Sequence, residues 1–264
     1  RKNREGVIQW DIRSGVYKND IPFDAVVHCA ANVSDWSSYQ AAYNTNVIGT
    51  KNVLKSFSPS PLFIYISSAS VYSPFCKDVV ITEESCVGGA GLNYYARTKL
   101  LGEQEVINSN IRSKVILRPH IIYGPGDTTI GPRLKSAIRQ NRFIIPGNGE
   151  NHISFTHVEN LAQAIWQSIL RSKTGNSIYN ITDKESPIFN DAIQSFKRLN
   201  DLSFKEVYVP KPISFAIGYV LQSIYLLFKI QKAPPLTPYI VQQMTSDHIL
   251  DISKAISELG YSPN

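Results

Sequence analysis

The sequence predicts an α/β fold in which helices cover both faces of a doubly wound parallel sheet. Three short apolar runs have the length of strands and contain few polar residues: 25–31, 62–66 and 114–118. Strands that are buried on both faces have this composition, because neither side of the sheet meets water. Helical patterns at 38–57 and 95–108 separate the runs. Alternation of strand and helix at this spacing is typical of right-handed crossover units.

Four predicted strands in the first half of the chain end in polar or small residues. The earliest of these strands spans residues 7–10. The four strand ends are, in chain order, Asp11, Ala30-Ala31, Ser67-Ser68 and Arg118-Pro119. Ligands of doubly wound sheets bind beyond the carboxyl ends of the strands. We therefore expect one crevice to bring these four ends together.

The alternation becomes less regular after Gly124-Pro125-Gly126-Asp127. The elements predicted here are helix 132–140, strand 143–146, strand 155–158, helix 159–170, strand 177–181 and helix 189–199. A chain of 264 residues is long enough for one large domain with a smaller lobe. We assign 1–124 and 151–182 to the larger domain, and 125–150 and 183–264 to the smaller lobe.

Charge and cysteine content exclude several classes of function. The net charge is +6, but the basic residues are scattered and form no long Lys/Arg block. This pattern does not favour a nucleic-acid partner. The spacing of Cys29, Cys76 and Cys86 fits no metal site. The start of the chain carries no signal-peptide pattern, so we expect a cytoplasmic protein.

Residues 212–228 contain no charged side chain and are bracketed by Lys211 and Lys229. About 20 apolar residues are needed to cross a bilayer, so the segment is not expected to span one. We interpret it as a buried helix or the cover of a pocket. A helix lying in a membrane surface is the alternative that stays open, and the protein would then be peripheral at a membrane.

Tyr95 and Lys99 stand four residues apart in the predicted helix 95–108, so both lie on one face. A free tyrosine has a pKa near ~10 and is a poor base at neutral pH. A cation beside the phenol lowers that pKa. A hydroxyl group from Ser67-Ser68 would then orient a carbonyl or an alcohol for proton transfer. The pair is common in helices, so the surrounding motifs decide its meaning.

Seven short motifs follow one another along the chain and match one family. They are His28-Cys29-Ala30-Ala31, Asn46-Val47-Ile48-Gly49-Thr50, Ser67-Ser68-Ala69-Ser70-Val71-Tyr72, Tyr95-Ala96-Arg97-Thr98-Lys99, Leu117-Arg118-Pro119 with Tyr123-Gly124-Pro125-Gly126, Ser154-Phe155-Thr156-His157-Val158-Glu159-Asn160-Leu161-Ala162 and Asp251-Ile252-Ser253-Lys254-Ala255. The chain resembles the extended short-chain dehydrogenases/reductases, the NAD(P)-dependent epimerase/dehydratase superfamily. It is most similar to the 3β-hydroxysteroid (sterol) dehydrogenase-like branch. The resemblance implies a Rossmann-like sheet, with the larger domain binding NAD or NADP and the smaller lobe binding substrate.

The resemblance also implies roles for individual residues. Tyr95 would be the catalytic acid/base, Ser68 would orient the substrate oxygen, and Lys99 would lower the pKa of Tyr95 and hydrogen-bond the nicotinamide ribose. Asn46 would support Lys99 and a proton-relay water. Besides Tyr95 and Lys99, the residues that would contact the cofactor are Asp11 at the adenine, Ala30 and Ala31 through their backbone, and Pro119, Ile121 and Ile122 at the nicotinamide.

Three polar residues near these motifs are interpreted as structural. Ser67 is read as a strand-end hydroxyl, Arg118 as the partner in an ion pair, and His157 as a residue that caps or packs in a strand-to-helix turn. None of the three is needed for the proton-transfer chemistry that the resemblance implies.

The sequence departs from the family pattern at the glycine-rich fingerprint GxxGxxG. That loop should follow a first strand and hold the pyrophosphate with backbone N–H groups. Gly88-Gly89-Ala90-Gly91 lies after the wrong strand and cannot replace it. We expect an N-terminal truncation that lacks the first two strands and the loop. The end of the second strand distinguishes NAD from NADP, so that preference stays open.

Two features favour a hydrophobic substrate over a nucleotide sugar. Sugar-nucleotide members of the superfamily usually carry an arginine where this chain has Ile153, and an isoleucine cannot bind a diphosphate. The uncharged segment 212–228 suits an apolar substrate. We expect hydride exchange with a secondary alcohol or ketone. A nucleotide-sugar epimerase or dehydratase and a non-catalytic dinucleotide-binding regulator stay open, as does pairing into a homodimer.

Overall fold

The computed structural model describes residues 7–18, 22–58, 60–90, 92–171 and 173–264. Its strands are β1 (Val26–His28), β2 (Leu62–Ile66), β3 (Val80–Ile81), β4 (Ser113–Pro119), β5 (Ile122–Tyr123), β6 (Arg142–Pro146), β7 (Thr156–His157), β8 (Gly175–Ile181), β9 (Lys205–Val209) and β10 (Ile249–Leu250). Its α-helices are α1 (Tyr39–Tyr43), α2 (Thr50–Ser56), α3 (Tyr94–Ile107), α4 (Ile130–Ala137), α5 (Val158–Arg171), α6 (Phe189–Leu199), α7 (Lys211–Leu227) and α8 (Pro238–Thr245).

Four parallel strands in the order β1-β2-β4-β8 form the central sheet. The inner strand β2 is buried along its whole length. Leu62, Ile64 and Ile66 pack with α5 and the C-terminal residues, whereas Phe63 and Tyr65 pack with α2 and α3. Side chains of a strand alternate between the two faces of a sheet, so each face of β2 contacts a different helical layer. The α/β fold with a parallel sheet is therefore confirmed.

The predicted strand at residues 7–10 does not form. Val7 and Ile8 are exposed, and no other strand of the described residues lies beside them. Their backbone groups therefore lack the ladder partner that a strand requires. The prediction that the run 25–31 is covered on both faces is wrong at Val27, which is 37% exposed. β1 is an edge strand of the sheet, so one side of it has no strand to cover it.

The parallel pair β6–β9 belongs to a second core. This core contains the buried residues Phe143, Ile145, Ile153, Phe189, Ile193 and Phe204. The π-helical turn at Ala255–Leu259 packs instead on the central sheet, although it belongs to the segment 183–264 that the sequence assigned to the smaller lobe. The division of the chain into two domains stays a prediction.

The uncharged segment forms a regular helix, α7, but the expectation that it is buried is wrong. Of its residues only Ser214 and Gly218 are buried, and large apolar side chains such as Val220 (59% exposed) face outward. A Cβ atom on Gly218 would lie 3.0 Å from the backbone of Thr237 and Pro238, so glycine allows α7 to pack closely against the start of α8. Among the described residues, no helix is long and apolar enough to cross a bilayer.

The helix α3 lies unusually close to the helical segment formed by α1, the π-helical turn Asn44–Gly49 and α2. A Cβ atom on Gly102 would lie 2.7 Å from the carbonyl oxygen of Asn46 and would collide with the hydroxyl of Tyr65. Only glycine permits this approach without a shift of the backbone. The approach determines how deeply Tyr95, two turns earlier in α3, and Lys99, about one turn earlier, lie between the helices and the sheet.

Candidate active site

Tyr95 lies in the first turn of α3, directly beside the loop that follows β2. The turn is fixed by Asn93, whose side chain accepts a 2.8 Å hydrogen bond from the backbone N–H of Ala96. Burial raises the pKa of the Tyr95 phenol above the ordinary tyrosine value. A hydrogen bond with Ser68 opposes this rise in pKa, and the negative charge of Asp35 adds to it. The structure therefore brings Tyr95 and Ser68 together, as the sequence predicts.

Ser68 begins a short 3₁₀ turn, Ala69–Val71, at the carboxyl end of β2. Its hydroxyl oxygen accepts the backbone N–H of Ser70 at 3.2 Å and donates to the Ser70 hydroxyl at 3.1 Å. Burial raises the pKa of the Tyr239 phenol in α8, and a hydrogen bond with Ser70 opposes this rise. Hydroxyl groups from three elements thus form a connected network around Tyr95.

Lys99 does not lie beside the Tyr95 phenol in the way that the sequence predicts. Its side chain is 2% exposed, and the ammonium donates to the carbonyl oxygen of Ile66 at 2.5 Å and lies 4.2 Å from the ring centre of Tyr65. Burial lowers the pKa of Lys99 to about 7, against the opposing effects of Glu103 and Cys29. Lys99 is not among the groups that shift the pKa of Tyr95 here, and its ammonium is turned toward β2. The role of Lys99 in lowering the pKa of Tyr95 stays a prediction.

Asn46 is buried in the π-helical turn and connects two elements. Its side-chain oxygen accepts from the backbone N–H of Asn32 at 2.7 Å, and its side-chain nitrogen donates to the Asn32 carbonyl at 3.1 Å and to the Thr98 hydroxyl at 2.9 Å. The amide therefore holds the loop after β1 against α3, one residue from Lys99. The support of Lys99 by Asn46 stays a prediction.

A cleft of about 760 Å³ lies beyond the carboxyl end of β1. It is lined by Trp10, Asp11, Ile12, Cys29, Ala30, Ala31 and Thr45. The structure thus brings together Asp11, Ala30 and Ala31, three of the residues predicted to contact the cofactor. Asp11 is exposed and pairs with Arg13 at 2.7 Å, and the hydrogen bonds from Arg13 lower the pKa of its carboxyl group to about 2.

The lining of this cleft has features that suit a nicotinamide dinucleotide. Ala30 and Ala31 carry no atoms beyond Cβ, so a flat ring or a sugar can approach their backbone. The Lys99 ammonium lies just behind the cleft wall, since its charge acts on Cys29. The hydroxyl of Ser67, at the end of β2, is buried without a hydrogen-bond partner among the described residues. The lining of the cleft therefore fits part of a dinucleotide bound beside β1.

The residues predicted to line the nicotinamide site lie at the end of β4 and in β5. Pro119 is buried, Ile121 is half-buried, and Ile122 is 38% exposed. Ile121 has φ 36°, an unusual value for a β-branched residue. Its carbonyl accepts the N–H of Thr156, which fixes this bend beside the central sheet. The role of these three residues at the nicotinamide stays a prediction.

Two of the three polar residues interpreted as structural, Arg118 and His157, have the contacts expected of a structural role. Arg118 makes a bidentate ion pair with Glu103 at 2.7 and 3.0 Å, with both side chains almost fully buried. The ring of His157 packs 5.1 Å from that of Tyr123, and the backbone N–H of His157 donates to the side chain of Asp183.

Sequence reasoning missed two site residues because they come from distant elements. Asp35, in the loop after β1, pairs with Arg133 of α4 and lies 3.3 Å from Asn93. Its charge raises the pKa values of Tyr95 and Tyr239. The signal that could have identified Asp35 was its position four residues after Ala31, because the loops that follow the strand ends line the crevice. No local pattern marks Tyr239, which reaches the site only through the packing of α8.

The buried ammonium of Lys99 leads to a test by pH. The pKa is 10.5 in a free lysine and about 7 here, so the unfolded chain holds the extra proton between these values. Stability conferred by the wild-type side chain therefore rises with pH across this window. We expect the difference in unfolding free energy between Lys99→Met and the wild type to shift in favour of the wild type as pH rises. The shift is up to about 1.4 kcal/mol per pH unit from pH 7 to 10.

Urea unfolding at pH 6 and at pH 9 measures this change. Lys55→Met is the control, because Lys55 is an exposed lysine of α2. Lys55→Met should change the free energy of unfolding by the same amount at pH 6 and at pH 9. If the difference between Lys99→Met and wild type is equal at pH 6 and pH 9, the lysine is not held in a buried, charge-disfavouring site.

The comparisons with known proteins place the chain in one family. The model of the NAD dependent epimerase/dehydratase family matches residues 11–182. The chain is 28% identical over 250 residues to a 2-alkyl-3-oxoalkanoate reductase of Stenotrophomonas maltophilia, covering 91% of this chain and 76% of the relative. It is 31% identical over 285 aligned positions to 3beta-hydroxysteroid-dehydrogenase/decarboxylase isoform 1 of Arabidopsis thaliana, covering 100% of this chain and 64% of the relative. The chain thus spans about two thirds to three quarters of these relatives.

A solved structure has the same fold. MoeE5 in complex with UDP-glucuronic acid and NAD matches with a TM-score of 0.67 and 22% identity, covering 91% of this chain and 74% of MoeE5. NAD dependence is part of the family description, which confirms the prediction of an enzyme that uses a nicotinamide dinucleotide. The sterol relative confirms the predicted resemblance to that branch. The chain belongs to the NAD dependent epimerase/dehydratase family.

Proposed function

We propose that the chain carries the catalytic group of an oxidoreductase that moves a hydride between a nicotinamide dinucleotide and a hydrophobic secondary alcohol or ketone. The observation that carries this proposal is the placement of the Tyr95 phenol at the Ser68 hydroxyl, which acts to lower the pKa of that phenol against the effect of burial. A phenol and a hydroxyl that meet in this way can bind the same substrate oxygen and transfer a proton to it.

In this proposal the cofactor and the residues of the chain have separate roles. The dinucleotide, when bound, exchanges the hydride at its nicotinamide ring. Ser68 donates a hydrogen bond to the substrate oxygen and orients it toward Tyr95. Tyr95 moves the proton to or from that oxygen. Asp11, Ala30 and Ala31 hold the adenine side of the cofactor, while Pro119, Ile121 and Ile122 line the nicotinamide side.

The raised pKa of Tyr95 favours one direction of proton transfer. A phenol that keeps its proton at neutral pH is prepared to donate it to a carbonyl oxygen, which is the step of ketone reduction. Alcohol oxidation needs the phenolate, which burial and Asp35 disfavour. Lys99 has a lowered pKa and lies behind the cleft wall, where its ammonium would reach a cofactor ribose after turning away from Ile66.

Several features support a hydrophobic substrate. Ile153, at the position where an arginine would meet a diphosphate, is 3% exposed and packed in the second core. Tyr239 closes the network around Tyr95 with an aromatic ring rather than a charge. The names of two relatives, a reductase of 2-alkyl-3-oxoalkanoates and a 3beta-hydroxysteroid dehydrogenase, also refer to alcohol or ketone chemistry.

A substrate panel tests this proposal. The absorbance of reduced nicotinamide is followed with sterol-like secondary alcohols, their ketones and 3-oxoalkanoates, each with NAD and with NADP. We expect turnover with at least one lipophilic pair. The absence of turnover on the whole panel, together with tight cofactor binding, would favour a non-catalytic dinucleotide-binding regulator instead.

A nucleotide-sugar epimerase or dehydratase is the second candidate. The likeness to MoeE5, whose structure contains UDP-glucuronic acid, is the reason to test this candidate. Its discriminating measurement is calorimetry with UDP-glucose and UDP-glucuronic acid. Because Ile153 offers no charge to a diphosphate, we expect no heat of binding; micromolar binding would move the proposal to this candidate.

A further inference from the structure

The helix α7 presents an apolar surface to solvent. Its exposed large apolar residues, together with those that follow it, are Ile213, Ile217, Tyr219, Val220, Ile224, Leu226, Leu227, Phe228 and Ile230. The helix contacts the rest of the chain mainly through α8, along the strip that contains Ser214 and Gly218. A contiguous apolar patch of this kind on a folded protein marks an interaction site.

The charged side chains of the segment that contains α7 all have the same sign. Between Glu206 and Asp247 the chain contains no acidic residue, and its charged side chains are Lys211, Lys229 and Lys232. Lysine thus stands at the start of α7 and just past its end, where the long side chain can reach outward while the apolar face is covered. The surface is therefore apolar in the middle and basic at both ends.

The shape of the apolar surface distinguishes between the partners it could bind. Ile213, Val220 and Leu227 lie along one side of α7, whereas Tyr219 and Leu226 lie toward the other, so the apolar arc covers about half of the circumference. Pairing with a second helix uses a narrower stripe and would leave part of this arc in water. A lipid surface covers a broad arc and tolerates aromatic residues such as Tyr219 at its edge.

We propose that α7 docks in the plane of an anionic lipid bilayer, with its exposed side chains in the apolar layer and the three lysines at the headgroups. The helix is about 25 Å long and would lie along the surface. Each lysine adds attraction to anionic lipid, which falls as salt rises.

The docked orientation places the candidate active site next to the lipid. Beyond the end of α7, the carbonyl of Ile230 accepts a 3.1 Å hydrogen bond from the Trp36 indole, and the Trp36 ring packs against Tyr225. Trp36 is the neighbour of Asp35, whose charge acts on Tyr95. A lipophilic substrate would therefore enter the site from the membrane side. This last step rests on the proposed function, whereas the docking itself does not.

Vesicle co-sedimentation of the full chain tests the docking. We expect binding to phosphatidylcholine vesicles that contain phosphatidylserine, and weaker binding to phosphatidylcholine alone. The variant V220E/I224E should reduce binding about tenfold or more, because both side chains leave the apolar layer. The variant K229Q/K232Q should reduce binding to the anionic vesicles by about fivefold per lysine and should flatten its salt dependence.

The matched control is L199E/I256E, which adds the same two charges at exposed apolar residues outside α7. It should bind vesicles nearly as wild type does. The proposal is overturned if the wild type binds neither vesicle, or if the control loses as much binding as V220E/I224E. A dimer that V220E/I224E dissociates, seen by light scattering without any vesicle binding, would make the surface an interface between two copies and would also overturn it.

Turnover separates a failed docking from a failed proposed function. With a substrate dispersed in detergent, V220E/I224E should turn over as wild type does, since neither residue belongs to the site. Normal turnover without vesicle binding refutes the docking alone. Vesicle binding without turnover on any alcohol or ketone refutes the proposed function alone.

Discussion

Replacing Tyr95 with phenylalanine is expected to lower kcat/KM by about 10²–10⁴-fold, the usual contribution of a positioned acid or base. The substitution removes one hydroxyl group and keeps the ring that fills the space between α3 and the β2 loop. Proton transfer to the substrate oxygen would then depend on water. The measurement is steady-state turnover on the lipophilic substrate that the panel identifies, at pH 7 and with saturating cofactor.

The matched control for this variant is Tyr94→Phe. Tyr94 is the neighbouring residue on α3, is 50% exposed and packs against Tyr39 at 5.6 Å between ring centres. Its hydroxyl group takes no part in the network around Ser68, so the control should keep wild-type kcat/KM. The assignment of Tyr95 as the acid is wrong if Tyr95→Phe retains more than a tenth of wild-type turnover while remaining folded.

Replacing Arg118 with methionine is expected to lower the free energy of unfolding by about 3–5 kcal/mol. The guanidinium and the Glu103 carboxylate are 4% and 1% exposed, so neither can turn to water when its partner is lost. The same guanidinium lies 4.9 Å from the ring of Tyr72, whose hydroxyl donates to the side chain of Asn180 at 2.6 Å. The loss of Arg118 would therefore also loosen the loop after β2 from β8.

Two further variants separate the unpaired charge from the lost packing. The double variant R118M/E103M removes both charges, and we expect it to recover most of the lost stability. Glu105→Gln breaks the pair between Lys51 of α2 and Glu105 of α3, whose side chains are 38% and 33% exposed, and should cost less than about 1 kcal/mol. Urea unfolding measures all three. A cost for Arg118→Met as small as that of Glu105→Gln would contradict a buried ion pair.

The central sheet could be predicted because its strands carry a strong local signal. Residues 62–66 are apolar at every position, and β2 is buried on both faces. The strand β9 gave no such signal, since it begins with Lys205 and Glu206 and becomes a strand by pairing with β6. Residues 7–10 show the reverse case: the residue types suit a strand, but no described strand lies beside them.

The candidate site divides in the same way. Tyr95 and Ser68 meet because helix spacing and the strand end place them there, and both features are local. The turn of the Lys99 ammonium toward β2 could not be predicted, because the helix period specifies the face of a residue but not the rotamer of a long side chain. The carbonyl of Ile66 and the ring of Tyr65, which hold the ammonium, come from a strand more than thirty residues earlier.

The sequence by itself determined the parallel α/β sheet, the order of the family motifs and the identity of the groups that can move a proton. Periodicity and strand ends carry this information, since each depends on residues close together in the chain. Only the tertiary structure decided that Asp35 and Tyr239 join the site, that Lys99 is buried with a lowered pKa, and that α7 is exposed. These features depend on contacts between distant segments, and burial and charge at a site are set by everything packed around it.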